Sequence, residues 1–71
     1  MNLSDVVALL EDLPEHNLRR GQVGTIVEEW APGVYEVEFA GTDGVTYAMA
    51  AIRATQLMTL YWHPRTAGQT A

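Results

Sequence analysis

Two runs rich in β-branched and aromatic residues, 22 to 30 and 34 to 40, stand on either side of Ala31-Pro32-Gly33-Val34. This arrangement constrains the chain more than any other part of it. Proline presets φ at the second position of a reverse turn, and glycine accepts the positive φ that a type II turn requires at the third. The two runs are therefore predicted to form a β-hairpin. With Pro32-Gly33 as the whole loop, Trp30 is expected opposite Tyr35, Glu29 opposite Glu36, and Ile26 opposite Phe39. Side chains alternate along a strand, so Tyr35, Val37 and Phe39 share one face and Glu36 and Glu38 the other.

The rest of the chain reads as further short strands. "DVVALLEDL", residues 5 to 13, places leucines at helical spacing behind Ser4 or Asp5 as candidate caps. Against a helix, Val6 and Val7 are β-branched and Pro14 closes the run, so a strand is the favoured reading. "PEHNLRRG" follows as a polar loop in which Asn17 takes the left-handed conformation. Asp43-Gly44, within "GTDG", marks a second hairpin turn. "VTYAMAAI" then reads as a strand, "RATQ" as one 3₁₀-like turn, and "LMTLYW" as a last strand. Five short antiparallel strands with one 3₁₀ turn before the last predict an all-β fold, a small and partly open barrel. Residues 1–62 are expected to form this single domain, and the polar tail 63–71 is expected to be disordered.

Length and composition narrow the functions. A 71-residue chain is one domain that buries only roughly 60% of its unfolded surface. It has no cysteine, so neither a disulfide nor a thiolate metal site can staple it. The N-terminus reaches acidic residues without a basic leader, which is not the pattern of a signal peptide. No apolar run approaches the ~20 residues that cross a bilayer, and a cytoplasmic setting is expected. The net charge is −5, from nine acids against four arginines. Phosphate backbones are bound by basic side chains that release counterions. Nucleic acid and anionic membrane are therefore not the expected partners, and a protein more basic than this chain fits better.

"RRGQVGTIVEEW…VYEVEF" resembles a KOW-type element, in which Gly-x-x-Gly-x-Val opens a hairpin of an SH3-like barrel; Gly21, Gly24 and Ile26 fill those places. Both glycines have a physical reading, since they allow a tight bend and a close strand crossing. From about residue 3 to residue 62 the chain is similar to an uncharacterised bacterial family of small stand-alone SH3-like proteins, a domain of unknown function. The resemblance implies the fold and a single domain. It implies no activity. Asn17 stands where relatives often have glycine, which agrees with a left-handed turn.

Four glutamates, Glu28, Glu29, Glu36 and Glu38, crowd the hairpin. They read either as a docking face for an arginine-rich partner or as an ordinary solvated face. Trp30, Tyr35, Tyr47, Tyr61 and Trp62 exceed what so small a barrel can hide. Those left outside suit protein contact, while Trp30 and Trp62 could instead cap the barrel ends. Arg19-Arg20 precede Gly21 where KOW-like barrels place a nucleic-acid loop, but a loop paired to its own acids such as Glu15 is the simpler reading. His16 near Asp12 and Glu15 matches no compact zinc spacing. Ser4 is the only serine, and no nucleophile-base pattern is present. Glu36 and Glu38 fall on a convex exterior that offers no cleft to shift a carboxylate pKa.

The reading is a non-enzymatic acidic barrel without metal or cofactor that binds a more basic partner protein, in the manner of antitoxins, immunity proteins or adaptors. Its partner-binding candidates are Glu29, Glu36, Glu38, Trp30, Tyr35 and Trp62; Gly21, Gly24, Pro32, Gly33, Asp43 and Gly44 set its turns. Two alternatives stay open: a KOW-like nucleic-acid module in translation or RNA metabolism, and a subunit that self-associates through the uncharged "YAMAAI" strand.

Overall fold

The computed structural model describes residues 1–61. Its elements are β1 (Val6–Leu9), a 3₁₀ turn (Pro14–His16), β2 (Val23–Ala31), β3 (Val34–Ala40), β4 (Thr46–Arg53), a second 3₁₀ turn (Ala54–Gln56) and β5 (Leu57–Thr59). The strands form one antiparallel sheet in the order β4-β3-β2-β1-β5. The all-β class, the five antiparallel strands and the 3₁₀ turn ahead of the last strand agree with the sequence reading, and 5–13 contains a strand rather than a helix. The expected tail 63–71 and Trp62 lie outside the described residues.

All five strands send residues to one core. Val7, Leu9, Ile26, Val37, Phe39 and Ile52 are its most deeply buried side chains, and Ala50 and Leu57 complete the contribution of β4 and β5. A flat sheet could not enclose these residues with its own side chains, so this one curls round its inner face.

Gly24 permits the curl. A Cβ there would stand 2.6 Å from Val37 Cγ1, 2.8 Å from the Glu38 carbonyl oxygen and 3.0 Å from Phe39 Cδ1, all closer than packed atoms tolerate. Gly21 acts differently: nothing lies within 4 Å of its missing Cβ, but its φ is +90°, a conformation other residues avoid. The crossing and the bend expected of the two glycines therefore fall to Gly24 and Gly21 respectively.

One loop departs from expectation and another meets it. "PEHNLRRG" is not simply polar, because Leu18 is buried and forms a backbone bridge with Leu13. Leu13 N–H donates to Leu18 O at 2.9 Å and Leu18 N–H to Leu13 O at 3.1 Å. The Pro14–His16 turn and the left-handed Asn17 (φ 59°, ψ 33°) close that small loop. The turn expected over residues 41–44 is present: Gly44 N–H donates to Gly41 O at 2.9 Å and Gly41 N–H to Val45 O at 3.0 Å. Asp43 Oδ1 accepts the Val45 N–H at 3.0 Å and Gly44 takes φ +81°, so the aspartate's own side chain braces the turn.

Gly24→Ala should lower unfolding stability by roughly 1–3 kcal/mol through overpacking. Gly21→Ala carries only backbone strain, of roughly 1–2 kcal/mol. Urea unfolding of both variants checks the ranking, and a neutral Gly24→Ala would contradict the close crossing.

Candidate functional site

The glutamate hairpin is the site the sequence singled out, and its register differs from the simple one. Ala31 pairs with Val34 across Pro32-Gly33, and Gly33 has φ +76°, as the turn chemistry required. Beyond that point β2 carries two one-residue bulges, at Trp30 and at Val27. Glu29 therefore pairs with Tyr35, Glu28 with Glu36, Ile26 with Val37 and Thr25 with Glu38. The expected pairs Trp30–Tyr35, Glu29–Glu36 and Ile26–Phe39 are corrected accordingly. Extra residues absorbed on one strand add local twist, which is what a curling central strand needs.

Each bulge also reverses which side of the sheet the following residues face. Glu28 moves into the place expected for Glu29 and stands directly opposite Glu36 on the outer face. Glu29 pairs instead with inward-facing Tyr35. The outer acidic set is thus Glu28, Glu36 and Glu38. Glu36 and Glu38 are half-buried and Glu28 is exposed. Facing carboxylates cost a hairpin several tenths of a kcal/mol, and no alternation pattern obliges the chain to hold them there.

Trp30 supplies the apolar part of the site. Its indole N–H donates to Glu36 Oε2 at 2.6 Å, while the residue remains 59% exposed. The hydrogen bond holds one Glu36 oxygen and orients the ring beside the acids. A carboxylate has about four acceptor positions, so Glu36 keeps room for a guanidinium. On the adjoining strand β4, Glu38 pairs with Met49 and Glu36 with Ala51; both β4 residues are exposed.

Tyr35 is not an exposed aromatic. It is 8% exposed and belongs to the core. Its hydroxyl donates toward the Met1 carbonyl oxygen at 3.3 Å, and the Glu29 carboxylate lies beside it as a second acceptor. Burial first, then the Glu29 charge and hydrogen bond, and then the Asp5 charge, push the phenol above its usual value of 10.0. The N-terminal residues are pinned across this end of the sheet by Ser4 N–H to Ile26 O at 2.7 Å and Ile26 N–H to Asp5 O at 2.9 Å. Ser4 has φ +70°, a bend that no glycine announced.

The remaining candidates lie apart from this face. Tyr61 and Tyr47 are exposed, and the Tyr47 hydroxyl accepts from Gln22 Nε2 at 3.0 Å. Arg19 borders a half-open depression with Asp12, Pro14, Asn17 and Leu18. The contact between this loop and its acids is made by backbone: Arg20 N–H donates to Asp12 Oδ1 at 2.8 Å. Among the described residues no group of three or more His, Asp or Glu side chains converges as a metal site. Among the described residues no helix is long and apolar enough to cross a membrane.

A family model matches residues 3–59, which span all five strands. The chain belongs to DUF4926, a domain family of unknown function. No curated protein and no solved structure matched the chain. Membership assigns no chemistry to the chain.

Two outcomes test the register. Glu28→Gln should raise stability by about 0.2–1 kcal/mol at low salt, and the gain should shrink as salt screens the repulsion; Glu29→Gln should give no such gain. Tyr35 tests the other face. The unfolded chain ionises this phenol at about pH 10 and the folded chain only above that. Its contribution to stability is therefore complete below pH 10 and is lost as pH rises through the folded value. Tyr35→Phe should flatten the alkaline fall in stability, measured by denaturation at stepped pH.

Proposed function

We propose that this chain is a non-enzymatic protein-interaction module that docks onto a partner more basic than itself. One observation carries the reading: Glu28, Glu36 and Glu38 share one outer face with an exposed tryptophan held by one of them. Opposed carboxylates cost free energy in the isolated protein. Guanidinium groups of a partner would remove that cost and make charge-assisted, bidentate bonds. Trp30 adds the kind of residue that dominates protein interfaces. The net charge of −5 supports the same sign of partner and speeds its encounter.

The finer reading of the fold belongs to this proposal. Strand order β4-β3-β2-β1-β5 with a 3₁₀ turn before β5 supports an SH3-like architecture, and Gly21 and Gly24 support the KOW-like likeness of its first long hairpin. A bacterial cytoplasm is the setting proposed with it. The role is that of an accessory or masking subunit, as antitoxins, immunity proteins and adaptors are.

Affinity capture from native lysate at low and high salt tests the role. A stoichiometric basic protein should be retained at low salt and released at high salt. It should also be lost from the triple variant Glu28→Gln, Glu36→Gln, Glu38→Gln at unchanged fold. Recovery of RNA, or capture indifferent to the three substitutions, would overturn the reading.

A further inference from the structure

The sheet has two edges. The β5 edge is three residues long, whereas β4 runs for eight. Among the described residues nothing pairs with the outer side of β4. Edge strands are commonly protected by charged residues, prolines or inward-pointing charges. β4 has a one-residue bulge at Tyr47, which bends the edge near its start; from Ala48 to Ile52 it has no such protection, and its first charge is Arg53 at the far end. Alternate N–H and C=O groups along this stretch are therefore open to a further strand.

The faces of β4 specify what that strand must carry. Ala50 and Ile52 turn inward and are buried, with Ala48 packed against the same core. Met49 and Ala51 turn outward, each next to a glutamate of β3: Met49 to Glu38, Ala51 to Glu36. Neighbouring strands lie about 4.8 Å apart, so an added strand would run about 10 Å from the backbone of those glutamates. An arginine on its outer face spans that gap together with the glutamate's own side chain, and the Ala51 methyl leaves the path to Glu36 open. Inward residues of the added strand would extend the core past Ala50 and Ile52, and so must be apolar.

We infer that β4 is a strand-addition site for an extended partner segment that alternates arginine with aliphatic residues, the arginines reaching over β4 to Glu36 and Glu38. This rests on the docking role proposed above and states how the partner is held: main-chain hydrogen bonds for affinity, alternate side chains for selection. A second copy of the chain is the poorer occupant. It has the same net charge of −5, and its own β4 would offer Met49 and Ala51 where the glutamates want cations.

The test uses the full chain and two capped peptides as long as β4, both alternating arginine and valine. One is unmodified; in the other, alternate backbone amides that would face β4 are N-methylated. Charge and side chains are the same, but the second cannot donate to a strand edge. The unmodified peptide should bind, should weaken as salt rises, and should protect amides between Tyr47 and Ile52 from hydrogen exchange. N-methylation should weaken binding roughly tenfold or more, and so should the pair Glu36→Gln, Glu38→Gln. Equal binding of both peptides would overturn strand addition while leaving the acidic docking face standing. Failure of both peptides to bind would overturn the docking role as well. Protection of the β4 amides before peptide is added would show the edge already occupied and overturn the inference, with sedimentation telling a second copy from the chain's own C-terminal residues.

Discussion

At Gly24 the side chains and backbone of β3 come too near for a β-carbon to stand between the strands. Most of the architecture depends on that contact. β2 is the central strand, paired with β1 on one side and β3 on the other, so a curl begun there draws both halves of the sheet round a common interior. Only by curling can a single sheet bring Val7 and Leu9 from β1 into the same cluster as Ala50 and Ile52 from β4. A chain this short has little apolar surface to spare, and a flatter sheet would leave much of it in water.

Curvature has a consequence in register. β3 alternates strictly, with Tyr35, Val37 and Phe39 inward and Glu36 and Glu38 outward, and it pairs with β4 without a break from Val34 to Phe39. β2 accommodates the bend by taking in Val27 and Trp30 as extra residues. Between the two bulges lie Glu28 and Glu29, adjacent in sequence and assigned to opposite faces. One completes the outer acidic set. The other sits by Tyr35, where it helps keep the phenol protonated. Two neighbouring glutamates thus have different electrostatic surroundings because of where the backbone gained a residue.

This is also where the sequence ceased to be legible. Turn chemistry at Pro32-Gly33, the regular alternation of β3 and the uncharged "YAMAAI" run of β4 could each be read locally, because a local rule governs each. The run Val27-Glu28-Glu29-Trp30 breaks alternation, which is the signature a bulge leaves; its placement, though, depends on how far β2 must twist to follow β1 and β3, and that is a property of the assembled sheet. Leu18 is a related case: it stands alone among polar residues, and its bridge to Leu13 is a contact that no local pattern announces. Ser4 at positive φ and the N-terminal residues over Tyr35 are likewise tertiary arrangements. Of the acidic site, residue types and sign were legible, and the partner of Glu36 was not.

Local rules and global structure agree nearly everywhere in this chain, as they do in sequences that fold to one state. The exceptions gather on one face. Glu28 opposes Glu36 where glutamine would fit the same space without repulsion, Trp30 keeps most of its ring in water, and β4 presents an edge without charge from Ala48 to Ile52. Each costs the isolated protein something: cross-strand repulsion, exposed apolar surface, and a template for unwanted pairing. Three independent costs on adjoining strands of a marginally stable domain are hard to explain by folding alone. A partner that brings cations, apolar side chains and a backbone to the same place would relieve all three at once.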